Sequence, residues 1–244
     1  GGCAGGTASR VATGQPAATG NAEFDAFFKQ VDELRAEAQK AGEDEAVARL
    51  LLVRAFALPE EAGAAATVKA AGERAKKLKD AGVLLHLELL PEAKLVTRGK
   101  GGGDAEAELK AIEEAAKSSL AFVRRMAELE KRSMELQNKR RELRSKTRTE
   151  FGARAEEIER ELGDAEKALT EAAEFAAGSA GSASYFVLDL AGAVETGAGG
   201  SPLPKGVTVV RSGGRPSGKG PSAKPAGQAP PPKKTKPKGD DFEP

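Results

Sequence analysis

Residues 92–201 contain no proline, and two long apolar repeats run through them. That combination constrains the fold more than any other feature, because proline is the residue that most reliably ends a helix. Phe151, Ala155, Ile158, Leu162, Ala165, Leu169, Ala172 and Ala176 step alternately by four and three. Such spacing lays one apolar seam along a helix that packs on another helix. Upstream, Leu109, Ile112, Ala116, Leu120 and Val123 begin a second stripe, and Phe122, Leu129, Leu136 and Leu143 continue it at heptad intervals. Ser133 and Arg140 fall among its partner positions, so the distal part of this seam is half polar. Helices are therefore expected over 105–146 and 151–176, with Asp104 capping the first. Thr147-Arg148-Thr149-Glu150 has the form of a capping box and marks a turn between them. Folded back as an antiparallel hairpin, the two stripes cover each other within one chain. A single continuous helix would need a second chain to cover its stripe.

The rest of the chain fits a mainly α fold. Ala, Leu, Glu, Lys and Arg, the strongest helix formers, dominate, while aromatic residues make up only 4%. Phe24, Phe27, Phe28, Val31, Leu34 and Ala38 form one stripe, predicting a helix over 21–41 with Asn21 as its cap and Gly42 as its stop. A second helix over 43–58 is apolar on most sides. Pro59 stops it and opens a third, running to residue 81 with Val68, Ala71, Ala75 and Leu78 inward and Gly82 as its terminator. The period then shifts from helix to strand. Val83, Leu85, Leu87 and Leu89 alternate with Leu84, His86, Glu88 and Leu90, and a turn around Pro91 leads back through residues 95–97, which reads as a β-hairpin. Further on, the glycine-diluted GSAGSAS (178–184) reads as a break, 185–194 as a separate short helix, and 207–211 as a possible edge strand. The organisation expected is a tether over 1–20, three helices and a β-hairpin over 21–99, a long helical hairpin with a short helix over 104–196, and a disordered Pro/Lys-rich tail over 197–244.

Charge is unevenly distributed. From residue 211 onward eight Lys/Arg face three acidic residues, so the tail is +5 and the remainder of this chain of net charge +1 is −4. Lys233, Lys234, Lys236 and Lys238 lie among prolines and are candidates for contact with an anionic partner. No apolar run approaches the ~18 residues that a membrane-spanning helix requires.

Chemistry-bearing residues are few. Cys3 is the only cysteine and His86 the only histidine, so neither a disulfide within the chain nor a Cys/His metal site is expected. The acidic pairs Glu60-Glu61, Glu113-Glu114 and Glu156-Glu157 fall on helix surfaces, and nothing places two carboxylates across a cleft. GKGGGD (99–104) lacks the Ser or Thr that follows the lysine of a phosphate loop and reads as a hinge. No catalytic set, cofactor, nucleic-acid partner or small-molecule substrate is expected.

Gly2-Cys3, followed by a run of small residues up to residue 20, resembles the lipobox end of bacterial lipoproteins. The resemblance implies that the Cys3 thiol carries a lipid, and Ala4 after it implies sorting to the periplasmic face of the outer membrane. The expectation is a lipid-anchored, non-catalytic envelope protein acting as a structural or interaction module. The alternative is a soluble coiled-coil scaffold that self-associates through the 151–176 seam.

Overall fold

The computed structural model describes residues 18–99 and 103–197. Five helices and one β-hairpin follow in the order α1 (Ala22–Asp44), α2 (Val47–Ala55), α3 (Ala64–Asp80), β1 (Leu84–Glu88), β2 (Lys94–Arg98), α4 (Glu106–Phe151) and α5 (Ala155–Thr196). The fold is mainly α. The 207–211 strand, the tail and Cys3 lie outside the described residues.

α4 and α5 form the antiparallel helical hairpin, about 60 Å long at 1.5 Å per residue. Ser133 Oγ donates to the Leu169 carbonyl at 2.5 Å, Arg140 Nη2 to Glu166 Oε1 at 2.8 Å, and Arg148 lies 3.8 Å from Glu159. As the α4 number rises the α5 partner number falls, which fixes the antiparallel register. The seam is the one expected: Leu129, Leu136 and Leu143 of α4 and Ile158, Leu162 and Leu169 of α5 are buried in one cluster. Ser133, Arg140 and Thr147 recur every seven residues within it and are buried as well.

The hairpin turns later than the capping box suggests. Thr147 lies inside α4, its hydroxyl donating to the Leu143 carbonyl at 3.1 Å, and the helix runs on to Phe151. Gly152 then turns the chain with φ 51° and ψ −114°, and Gly152–Arg154 form a single 3-10 turn before α5. Only glycine occupies such a backbone conformation without strain, so the turn falls there rather than at Thr147.

α5 also corrects the expected break. It is one helix from Ala155 to Thr196, so 178–184 is helical and 185–194 is not a separate element. Heptad spacing explains why: Ala176, Ser179 and Ala183 continue the seam, and Ala176, Ala180 and Ala183 join the cluster that contains Phe122 and Met126 of α4. Large residues on one helix meet small ones on the other. Gly178 and Gly181 have open space where a Cβ would stand, so they dilute the helix without breaking it. A glycine inside a helix costs about 1 kcal/mol relative to alanine, which tertiary packing of a long helix offsets. The helix stops at Gly197, left-handed at φ 69°, whose N–H bonds to the Ala193 carbonyl.

The smaller elements pack on this frame in two groups. α1 lies along the turn-proximal half, where Phe24, Phe27, Phe28, Val31 and Leu34 are buried with the α4/α5 seam. It continues through Gly42, over which the Phe175 ring packs, to Asp44. α2, α3 and the β-hairpin cover the other half; Leu52, Val68, Leu78, Leu85 and Leu87 are buried there with Ile112, Val187 and Leu190. α3 starts at Ala64, not at Pro59. Residues 59–62 form a turn whose Glu60 and Ala62 carbonyls accept from Arg49 Nη1. Gly82, at φ 84°, ends α3 as expected, with the Val83 N–H reaching the Leu78 carbonyl at 2.8 Å. The strands pair antiparallel with His86 opposite Val96 and Glu88 opposite Lys94. Val83, Leu85 and Leu87 face the core, matching the alternation in the sequence. Two strands alone are marginal in water, so this buried face is what stabilises the hairpin.

Candidate functional site

Among the described residues polar side chains meet at several places, three of which bear on a candidate site. The first is the turn end of the α4/α5 hairpin, where the chain enters the folded body. The Thr19 hydroxyl and Asn21 exchange local hydrogen bonds, the Thr19 N–H donates to Asp25 at 2.6 Å, and the Asn21 side chain caps α1 by accepting from the Glu23 N–H at 3.0 Å. This entry segment is stapled to the turn. Asn21 Nδ2 donates to Glu150 at 3.0 Å, Arg154 Nη1 donates to the Thr19 carbonyl at 3.3 Å, and Phe24 packs edge-on against Phe151 with ring centroids 4.8 Å apart. Glu23 joins Lys139 and Lys146 of α4, which are also paired with Glu142. Hydrogen bonds from Lys139, then Lys146, hold the Glu23 carboxyl below its usual value, and those that Lys146 donates to Glu142, then to Glu23, push its ammonium above its usual value. These pairs are largely solvent-exposed, and pairs of that kind contribute little stability.

The second place is the outer edge of β2. Glu113 of α4 accepts the Leu95 N–H at 2.9 Å and pairs with Lys117 at 2.6 Å. The Lys117 bond first, and the Leu95 bond second, hold its carboxyl below the usual range. Glu113 thus caps a strand edge that would otherwise offer a free donor. An i, i+4 Glu–Lys pair is visible in the sequence; the bond to a strand eighteen residues away is not. Glu114 beside it is exposed, as are Glu60, Glu61 and Glu156. Asp104 does not cap α4; it faces Arg74 at 3.6 Å, and Arg74 also pairs with Glu108.

The third is Arg140. It is 6% exposed, bonds Glu166 through Nη2, and has no hydrogen-bond partner for Nε or Nη1. No other buried side-chain donor or acceptor among the described residues lacks a partner.

None of these places has the form of an active site. His86 lies on the solvent face of β1, its Nδ1 3.9 Å from Glu195 of α5, both side chains about half exposed. Among the described residues no group of three or more His, Cys, Asp or Glu is arranged to hold a metal ion. One concavity, of about 640 Å³, is an open groove on α5 alone, with Arg160, Asp164 and Lys167 on its walls. A groove of about 420 Å³ between α1 and α4 is likewise lined by charged side chains such as Glu33, Arg132 and Lys139. Enclosure by apolar walls with a few convergent polar groups, the usual form of a ligand site, is found in neither. Cys3, Lys233, Lys234, Lys236 and Lys238 lie outside the described residues.

No known family model, curated protein or solved structure matches the chain. No described helix is long and apolar enough to cross a membrane.

Proposed function

We propose that this chain is a lipid-anchored, non-catalytic structural or interaction module of the bacterial cell envelope, attached through Cys3. The supporting observation is where the first and last described residues lie. Thr19 and Asn21 are fastened to the turn of the α4/α5 hairpin, through Arg154 and Glu150. Gly197 lies at the opposite end, against the backbone of Lys76 in α3. Thr19 and Gly197 are thus separated by the length of α5, about 60 Å. With Cys3 as the anchor, the hairpin turn faces the membrane and the β-hairpin end stands off from it. Lys233, Lys234, Lys236 and Lys238 lie among prolines in a basic stretch that suits an anionic envelope component. Several acyl chains on one cysteine anchor stably where one would not. Ala4, next to the cysteine, favours the periplasmic face of the outer membrane.

Expression of the chain behind a lipoprotein leader in a bacterium tests this reading. Intact mass should show a lipid adduct at Cys3, and Cys3→Ser should release the protein from the membrane fraction. An unmodified wild-type chain in the soluble fraction would refute the anchor.

A further inference from the structure

We infer that the α4/α5 hairpin exchanges between two copies of this chain, opening at Gly152 into a continuous helix so that α4 of each copy packs on α5 of the other. This inference does not depend on lipid attachment at Cys3. It bears instead on the scaffold alternative, because in the closed hairpin the 151–176 seam is already covered by α4.

Three observations carry it. First, the interface joins two separate helices with heptad repeats, so an exchanged partner in the same register remakes every contact. That includes the directional bonds, Ser133 to the Leu169 carbonyl and Arg140 to Glu166. Exchange therefore loses no seam contact.

Second, the connection is minimal. Only Gly152–Arg154 separate α4 from α5, and α5 begins without a side-chain cap. The turn rests on Gly152, at φ 51° and ψ −114°, a conformation that any other residue adopts only under strain. A Cβ at Gly152 would meet nothing within 4 Å, so replacing it acts on backbone preference and not on packing.

Third, the stripe continues across the turn. Leu143, Thr147, Phe151, Ala155 and Ile158 keep helical spacing, in steps of four, four, four and three, one residue more than two heptads, which a continuous coiled coil absorbs by local unwinding. What keeps the hairpin shut in one chain is the glycine and the staple from α1, with Phe24 on Phe151 and Thr19 on Arg154.

The test uses the full chain carrying Cys3→Ser, which removes disulfide linkage as a route to dimers. Adding Gly152→Ala should shift the monomer–dimer equilibrium toward dimer by about tenfold or more per chain, as read by light scattering over a dilution series; that factor corresponds to the strain released. A Gly152→Ala chain that stays monomeric at every concentration overturns the inference.

A complementation experiment separates exchange from other association. One chain carries Arg140→Glu and a second carries Glu166→Arg, both with Gly152→Ala. Alone, each sets like charges against each other in the closed hairpin and in its own dimer. Only the mixed, exchanged dimer restores both Arg–Glu pairs. Unfolded together and refolded, the two should give the mixed dimer as the main species in native mass spectrometry. A statistical mixture of dimers, or separate monomers, overturns the inference, whether or not either chain folds alone.

Discussion

Arg140 occupies a seam position of α4 where its neighbours Leu136 and Leu143 bury apolar side chains. Its guanidinium has one partner, Glu166, and two nitrogens with none. A buried donor left unsatisfied costs about 1–3 kcal/mol. The compensating ion pair is weak: the Glu166 side chain is 50% exposed, and a pair so open to water is worth about 0–1 kcal/mol. Methionine keeps the unbranched stem that packs in the seam and removes the orphaned donors. After allowance for imperfect repacking, Arg140→Met is expected to raise unfolding stability by about 1–2 kcal/mol. Each kcal/mol moves Tm by about 2–4 °C in a domain of this size. Urea titration followed by far-UV circular dichroism reads the effect, with an unchanged m value showing that the folded and unfolded states have kept their compactness. The reciprocal change, Glu166→Gln, leaves the guanidinium without its counter-charge and should destabilise. A methionine variant less stable than wild type by about 1 kcal/mol or more, at the same m, would refute the reasoning. It would mean that the guanidinium contributes more than its desolvation costs.

Two further expectations concern α5 and the β-hairpin. Gly178→Ala and Gly181→Ala together should stabilise by about 1–2 kcal/mol in thermal melts, because both positions are helical with open space at Cβ; no gain would mean that 178–184 is not helical in solution. Glu113 governs the acid response of the β-hairpin. Its carboxyl is held below its usual value of 4.5 in the folded state, so its contribution is complete above that value and is lost as pH falls through the lower folded value. Wild type should therefore lose stability relative to Glu113→Gln as the medium is acidified below about pH 4.5, and parallel Tm–pH curves for the two would exclude the role.

Much of the local architecture was legible from residue spacing. The Phe24-to-Leu34 stripe, the Ile158-to-Ala172 seam and the strand alternation at Val83–Leu87 each name a face, and each of those faces is buried. Where structure and sequence pattern differ, the periodic signal outweighs the local one. GSAGSAS has the composition of a break, yet Ala176, Ser179 and Ala183 keep the heptad and the helix continues. Thr147 to Glu150 has the form of a cap, yet Gly152, the residue able to take a positive φ, decides the turn. Pro59 is well suited to start a helix, but Arg49 holds its neighbours in a turn instead. The three polar clusters were less accessible. Arg140 could be placed on the seam from its spacing, whereas the Glu113–Leu95 bond and the Thr19–Arg154 staple join segments that no sequence rule connects.

The sequence by itself determined that this is a mainly α protein, which faces of its helices are apolar, and where its single cysteine and single histidine fall. An apolar stripe records that a face must leave water, because that cost is paid residue by residue along the chain. Only the tertiary structure decided what covers each face. It laid α1 on the turn end of the hairpin and α2, α3 and the strands on the other end, and so put Thr19 and Gly197 at opposite ends. Burial is non-directional, so many partners satisfy the same stripe; the choice among them rests on helix length, the position of one left-handed glycine, and directional bonds between residues far apart in the chain.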